Sequence, residues 1–235
     1  MKRRLVMAVM LPVVFATACA ADRKPAHTPK VSAPQAGAAF VESGFLTTDY
    51  ARLAPVAPGS ARRTYVNPDK KLSSYGGIFL DRITIWRGES HKELVESADF
   101  QKVVDDLYAV TSAELRKTFN LVPKAGPGVG RLRIAMVAID SPDERLDVYV
   151  SEGEPSAAGS DAALPQGVRE FGRKAWVEAE MLDGVTKEPI FAVVDRVADV
   201  VPHAVPIKTW QDLHEALDAW AKQGVGRIAA LEKQK

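Results

Sequence analysis

The clearest alternation of hydrophobic and polar positions in this chain lies between Gly172 and Asp199. In its first half, apolar side chains alternate with Trp176, Glu178 and Glu180. The apolar set is Val177, Ala179 and Met181. A period of two predicts a β-strand with one buried face, and it places Trp176 and the two glutamates on the face toward solvent.

A second strand is predicted to return beside the first. Asp183-Gly184 predicts the turn, because aspartate bonds its own backbone in turns and glycine tolerates a positive φ. The run Ile190–Val194 is apolar throughout, which predicts a strand buried for most of its length. Strand, turn and strand together predict a β-hairpin.

Four more segments have the period of a regular element. Tyr75–Trp86 and Arg131–Ile139 predict strands, and Phe100–Phe119 has apolar residues at the three- and four-residue spacing of an amphipathic helix. A terminal helix is predicted from Trp210, with Thr209 as its N-cap.

Gly224 and Gly226 are expected to stop or bend that terminal helix, because each costs roughly 1 kcal/mol in a helix interior. The element order is β-α-β-β-β-α. This order predicts an α+β fold, in which two helices pack on one face of a single mixed or antiparallel sheet.

The composition is that of an ordinary globular protein. The chain has 235 residues, of which 46% are hydrophobic and 26% are charged, and its formal net charge is +1. A near-neutral chain without a basic cluster argues against nucleic acid as a partner. Cys19 is its one cysteine, so the chain can form no internal disulfide and no cysteine-based zinc site.

The N-terminus has the three parts of a secretory signal peptide. Met1–Arg4 is positively charged, Leu5–Phe15 is apolar, and Ala16-Thr17-Ala18 supplies small residues. We therefore predict a signal peptide at residues 1–18. Its apolar part is shorter than the roughly 20 residues that a transmembrane helix needs.

Ala16 to Cys19 resembles the lipobox of bacterial lipoproteins, in which small residues precede a cysteine that is acylated and becomes the mature N-terminus. Ala16 departs from the usual leucine, and ordinary cleavage after Ala18 is the alternative. Ala20 follows Cys19 where an aspartate would retain such a lipoprotein in the inner membrane. The resemblance implies a lipid anchor at Cys19 in the outer membrane of a Gram-negative cell, facing the periplasm.

The remaining boundaries follow from composition. Residues 19–42 are rich in proline, alanine and lysine and predict a lipidated N-terminus and flexible linker. Residues 43–235 predict one globular domain, to which the apolar segment Ser43–Leu53 is pinned. Residues 151–166 lack an apolar stripe and predict a mobile loop within it.

Charged residues of neighbouring strands form the candidate site. Arg131 and Arg133 are expected beside Glu178 and Glu180, and opposite charges paired across strands contribute roughly 0.2–1 kcal/mol each. The candidate surface or ligand site comprises Glu178, Glu180, Asp195, Arg131, Arg133 and Trp176, with Asp183 as a fourth carboxylate. Such carboxylates can bind Ca²⁺ or act as acid and base, but neighbouring arginines favour a structural charge ladder.

No catalytic signature is present in the sequence, and no cofactor, metal site or catalytic residue is predicted. Gly126–Gly130 is rich in glycine, but it runs into a strand and lacks the GxGxxG and GKS/T patterns of phosphate-binding loops. A turn between a helix and a strand explains it.

Several short pieces of the chain are similar, in the same order, to a family of bacterial lipoproteins, domain-of-unknown-function family 3313. They are SGFLTTDYARL at Ser43–Leu53, the strand at Ile78–Trp86, GPGVGRLRIAM at Gly126–Met136, VEAEMLDGVTKE at Val177–Glu188, VDR at Val194–Arg196 and Trp220-Ala221. The stretch Ser151–Gln166 departs from the family, which tends to have a more apolar segment there. The resemblance implies an exported lipoprotein and no activity.

Three functional hypotheses remain open from the sequence. The first is a binding or envelope-assembly accessory protein, whose partners are the lipid bilayer, through acylated Cys19, and an envelope protein. The second is an envelope hydrolase that uses Glu178, Glu180 or Asp195. The third is a small-molecule or lipid carrier, which requires an apolar cavity between sheet and helices.

Replacing Cys19 by serine is expected to move the protein from the membrane to the soluble periplasmic fraction, because no acyl chain can then be attached. Ala20→Asp keeps the cysteine and is expected to move the protein to the inner membrane. Cell fractionation, with the intact mass of the extracted protein, measures both outcomes. Unchanged membrane association of Cys19→Ser would contradict the predicted anchor.

Overall fold

The computed structural model describes residues 42–58, 60–86, 98–137, 161–174, 176–196 and 207–233. The predicted signal peptide, Cys19 and the linker up to residue 41 lie outside these residues, as does the predicted loop up to residue 160. Within the described ranges, no helix combines the length and the apolar character needed to span a bilayer.

One mixed sheet forms the centre of the domain. Its seven described strands are β1 (Ala54–Pro55), β2 (Arg63–Val66), β3 (Gly77–Leu80), β4 (Thr84–Trp86), β5 (Val129–Val137), β6 (Trp176–Asp183) and β7 (Pro189–Arg196). Their order is β1-β2-β7-β6-β5-β3. β4 also pairs with β5, at a part of β5 that follows the part paired with β3. β3 and β4 run parallel to β5, and the other pairs are antiparallel.

The edge beside β5 differs from the prediction of one strand over Tyr75–Trp86. The chain leaves the ladder at residues 81–83, so β3 and β4 are separate strands that pair with two successive parts of β5. Asp81 still donates its N–H to the Leu132 carbonyl at 2.9 Å, while its side chain bonds Arg131. β1 and β2 were not predicted, because Arg63–Val66 is short and half polar.

Two long helices cover one face of the sheet, as predicted. They are α1 (Ala98–Thr118) and α3 (Trp210–Glu232), and a third helix, α2 (Gln166–Lys174), lies between them in sequence. α1 and α3 share a core with the side chains of β5 and β6 that face them, among them Leu132, Met136 and Met181. This confirms the α+β class with both predicted helices on one face.

α3 begins as predicted and ends later than predicted. The Thr209 hydroxyl accepts from the Asp212 N–H at 3.1 Å, and the Asp212 carboxylate accepts from the Thr209 N–H at 2.8 Å, which forms a capping box. The expected stop at Gly224 and Gly226 is wrong, since the helix continues to Glu232. Burial of Val225 and Ile228 holds the last turns against the core.

α2 was not predicted, because its nine residues are mostly polar or glycine. Val168 and Phe171 are nevertheless buried in the helix-side core, and Phe171 packs edge-on against Phe100 of α1 with ring centroids 5.2 Å apart. Of the predicted loop, the last residues are described, and Leu164 is buried there with its N–H bonded to the Lys208 carbonyl at 2.8 Å.

The other face of the sheet is buried as well, which the sequence did not predict. The N-terminal segment, Ser43–Leu53, lies across it and forms a second apolar cluster. That cluster comprises Phe45, Leu46, Tyr50, Leu53, Tyr65, Ala135, Val137, Trp176, Ala192 and Val194. The expectation that Trp176, Glu178 and Glu180 face solvent is therefore wrong: their exposed fractions are 4%, 0% and 0%.

In the turn between β6 and β7, Asp183 bonds the backbone as predicted, but Gly184 does not adopt the positive φ for which it was expected. Asp183 Oδ1 accepts from the N–H groups of Val185 and Thr186 at 2.9 and 2.8 Å. The left-handed residue of this turn is Lys187, with φ of 63°. Gly184 is required for space instead, because a Cβ there would lie 2.5 Å from the Gly126 carbonyl oxygen.

Gly226→Ala is expected to raise the free energy of unfolding by up to about 1 kcal/mol, because position 226 is exposed on α3 and a Cβ there meets no atom within 4 Å. Gly184→Ala is expected to lower it, because the new Cβ would collide with backbone atoms. Urea denaturation measures both. A loss of stability in Gly226→Ala would contradict the described course of α3.

Candidate functional site

The predicted site residues of β5 and β6 hold the N-terminal segment against the sheet. Glu178 and Glu180 are two residues apart on β6, so both side chains project from the face that this segment covers. Each carboxylate accepts hydrogen bonds from the segment. The glutamates therefore form its polar attachment to the sheet.

Glu180 is the more fully bonded of the two. It accepts from the Thr47 N–H at 3.0 and 3.1 Å and from the Thr47 hydroxyl at 2.8 Å. Thr48 donates more weakly, with its N–H at 3.3 Å. Arg133, the residue directly opposite on β5, forms a salt bridge of 2.7 Å with Glu180 Oε1. The buried negative charge is thus compensated by a guanidinium and several donors.

Glu178 has no arginine among its described hydrogen-bond partners. Its Oε2 accepts from the Ser43 hydroxyl at 2.8 Å and from the Tyr50 hydroxyl at 2.6 Å. No described residue donates to its Oε1. Burial raises the pKa of Glu178 to about 7 although the hydrogen bonds from Tyr50 and Ser43 oppose the rise. Burial and the adjacent carboxylate also raise the pKa of Tyr50.

The predicted arginine–glutamate pairs form at one of the two positions. Arg133 pairs with Glu180, and its guanidinium also stacks on Phe45 of the N-terminal segment, 4.6 Å from the ring centroid. Arg131 instead forms a bidentate pair with Asp81, with Nη2 2.6 Å from Oδ2 and Nε 3.0 Å from Oδ1. That pair joins the residues between β3 and β4 to β5.

Trp176 is buried in the second cluster, so the expected partial exposure is wrong. The Arg196 guanidinium lies 4.6 Å from the centroid of its ring. Arg196 is also its direct partner in the β6–β7 ladder. Through this cation–π contact, Arg196 covers the Trp176 ring at the start of β6.

The four predicted carboxylates do not form one cluster. Asp195 pairs with Val177 in the β6–β7 ladder and therefore projects from the face opposite Glu178 and Glu180. Asp183 lies in the turn, where the N–H groups of Thr186 and Val185 lower its pKa to about 2. Across the described ranges, no group of three or more histidine, cysteine, aspartate or glutamate side chains is placed to hold a metal ion.

Asp195 belongs to a charged group under α3. Its Oδ2 accepts from Arg227 Nη1 at 3.0 Å and lies 4.0 Å from Arg62 Nη1. Its side chain is almost fully buried, and burial raises its pKa although both arginines oppose the rise. This group joins the last turns of α3 to the helix-facing side of β7.

A cleft of about 300 Å³ lies between α3 and the helix-facing side of the sheet, and we name it the α3 cleft. Its walls are mainly apolar, with Arg62, Asp195 and Arg227 as the charged lining. The apolar lining includes Leu132, Ile134, Ala179, Phe191, Trp220, Val225, Ile228 and Leu231. Val56 and Val66 also line it and are 40% and 46% exposed, so the cleft has an apolar surface toward solvent.

The third hypothesis required an apolar cavity between sheet and helices, but sequence reasoning did not locate this cleft. Part of its lining comes from β2, which was not predicted, and from α3 beyond the point where the helix was expected to stop. Gly224 was the one residue in the sequence that could have indicated the cleft. It lines the cleft and a Cβ there would meet no atom within 4 Å, so this glycine leaves open space where another residue would place a side chain.

A family model of proteins of unknown function, DUF3313, matches residues 41–224. The chain belongs to the DUF3313 family. The match covers the N-terminal segment and ends at Gly224, so the cleft lining from Val225 onward lies beyond the matched residues. No curated protein matches the chain.

Solved structures similar to this DUF3313 protein are distant in sequence. A PelC dodecamer from Paraburkholderia phytofirmans shares 11% identity with a TM-score of 0.33, over 74% of this chain and 98% of that chain. A DUF4136 family protein from Bacteroides thetaiotaomicron shares 11% identity with a TM-score of 0.36, over 74% and 97%. At these scores the similarity carries no inference for this chain.

In the DUF3313 domain, Glu178 is expected to make stability fall with rising pH. A folded pKa of about 7 lies above the ordinary glutamate pKa of 4.5. The unfolded state therefore loses its proton first, and the stabilisation present below about pH 4.5 is lost as the pH rises to about 7. The loss is roughly 3 kcal/mol, at about 1.4 kcal/mol for each tenfold difference in proton affinity.

Urea denaturation at a series of pH values measures this loss. Glu178→Gln is expected to flatten the fall in stability over this range. Glu180→Gln, which keeps Glu178, is expected to retain the fall although it removes the partner of Arg133. An equal fall in the unsubstituted protein and in Glu178→Gln would contradict the assignment.

Proposed function

We propose that this protein is a lipoprotein of the outer membrane, anchored through acylated Cys19 and facing the periplasm, that binds a small apolar ligand in the α3 cleft. The observation that carries the proposal is the cleft itself. Its volume of about 300 Å³ is at the lower end of the roughly 300–1,000 Å³ of small-molecule sites. Apolar walls with a few polar groups are the usual lining of such sites.

The positions of the carboxylates favour binding over hydrolysis. Glu178 and Glu180 are enclosed under the N-terminal segment, on the face opposite the α3 cleft. Among the described lining residues, Asp195 is the one carboxylate of the cleft, and it is bonded to Arg227. A carboxylate occupied by an arginine is poorly placed to exchange a proton with a ligand.

The attachment of the linker is compatible with this role. The predicted linker reaches the domain at Ser43, whose hydroxyl donates to Glu178 on the face opposite the cleft. An anchor that joins the domain on that face leaves the α3 side of the sheet accessible from the periplasm. Burial of each methylene group of an apolar ligand contributes about 0.8 kcal/mol, so a chain of several carbons suffices for measurable binding.

Gly224→Phe is expected to abolish octanol binding, because the new ring would enter the open space beside Gly224. The matched control is Gly226→Phe, which adds the same ring to the same helix at an exposed position that does not line the cleft. Both substitutions replace a glycine in a helix, so neither is expected to weaken α3.

Ligand-observed NMR on the Cys19→Ser chain, purified without detergent, measures octanol binding in both variants. The proposal expects binding in the unsubstituted domain and in Gly226→Phe, and loss of binding in Gly224→Phe. Absence of octanol binding in the unsubstituted domain, or equal binding in the two phenylalanine variants, would overturn the proposed ligand site.

A further inference from the structure

We infer that the α3 cleft takes a single-chain amphiphile with a negatively charged headgroup, and that Arg62 binds this headgroup. The inference rests on the proposed function and names the class of its ligand. It is carried by the charge and the apolar character of the lining that the structure describes.

The charged lining of the cleft has a surplus cation. Of the described residues that line it, Arg62 and Arg227 are the cations and Asp195 is the anion. Both Nη atoms of Arg227 already donate hydrogen bonds: Nη1 to Asp195 Oδ2 at 3.0 Å and Nη2 to Gln223 Oε1 at 2.9 Å. Arg62 reaches Asp195 only at 4.0 Å, and its buried Nε donates to no described residue.

The guanidinium of Arg62 is open to a ligand, because its side chain is 27% exposed, whereas that of Asp195 is 4% exposed. Guanidinium nitrogens only donate hydrogen bonds, and a ligand with acceptor oxygens, above all an anionic one, matches them.

The rest of the lining fits an alkyl chain. The walls between α3 and the sheet are aliphatic and aromatic, and the volume of about 300 Å³ suits one chain rather than two. Val56 and Val66 extend the apolar surface to the solvent-exposed side. A ligand with one apolar chain and one anionic group therefore matches both parts of the lining, whereas an alkylammonium would be repelled by Arg62.

The test compares octanoate, octanol and octylammonium, which share one chain length, by calorimetry or ligand-observed NMR on the detergent-free Cys19→Ser chain. Octanoate is expected to bind at least about tenfold more tightly than octanol, as a charge-assisted hydrogen bond implies. Octylammonium is expected to bind more weakly than octanol. An octanoyl lysophospholipid with an anionic headgroup is a further arm, and its affinity relative to octanoate assigns the source of the ligand.

Arg62→Gln is expected to reduce octanoate binding to the level of octanol, because it removes the cation that binds the carboxylate. Arg227 remains on Asp195 in this variant, so the carboxylate keeps its shorter ion pair. Arg63→Gln removes the same charge one residue away, on the face opposite the cleft, where Arg63 pairs with Val194. It is expected to keep the preference for octanoate. Urea denaturation verifies that each variant is folded, and Arg62→Lys, which keeps the charge, is expected to retain part of the preference.

The outcomes separate this inference from the proposed function. Octanol binding without a preference for octanoate, or a preference that survives Arg62→Gln in the folded protein, would overturn the headgroup assignment and leave the apolar site in place. Failure of all ligands to bind would overturn both. A concentration-dependent dimer in sedimentation that excludes octanoate would identify a second copy of the chain as the occupant and would likewise overturn the inference.

Discussion

The burial of two carboxylates under the N-terminal segment is the constraint on which the described domain depends. A charged group that is moved out of water is very unfavourable unless ions and hydrogen-bond donors replace the water. Glu180 obtains this compensation from Arg133 and from Thr47, and Glu178 obtains part of it from Ser43 and Tyr50. Loss of one partner of such a buried pair typically costs about 3–5 kcal/mol. The segment is therefore part of the folded domain and not an extension of the predicted linker.

The two faces of the sheet consequently have different roles. On one face, the N-terminal segment fills the space with aromatic and aliphatic side chains and with the bonds to the two glutamates. On the other, α1 packs closely, whereas the last turns of α3 leave the α3 cleft beside Gly224. Asp195, Arg62 and Arg227 bring charge to that side. Glu178 and Glu180, two members of the carboxylate cluster predicted from the sequence, thus hold the N-terminal segment, and the ligand site that we propose lies on the other face.

The sequence predicted those elements whose signals are local. Periodicity located α1 and the strands β5 to β7, and the Thr209 capping box located the start of α3. The prediction failed where contacts between distant parts of the chain determine which residues are buried. A strand that alternates glutamate with alanine has the pattern of a half-exposed strand, and only the segment 43–53 makes Glu178 buried.

Part of the candidate site was also beyond reach from the sequence. The pairing of Arg133 with Glu180 followed from strand order and charge. The separation of Asp195 from the glutamates depends on the register between β6 and β7, which turn length fixes and periodicity does not. The turn proved longer than the predicted Asp183-Gly184 pair, with Lys187 in the left-handed conformation.

The attachment at Ser43 also determines how mechanical load would enter the molecule. Tension along the linker from a membrane anchor would arrive at the N-terminal segment, and its bonds to Glu178 and Glu180 would pass the force to β6. β6 is an interior strand, paired with β5 on one side and β7 on the other, so the load would be shared across the sheet. α3 lies on the opposite side and is outside this path. A domain built in this way could be pulled from Ser43 without deforming the helix that borders its cleft.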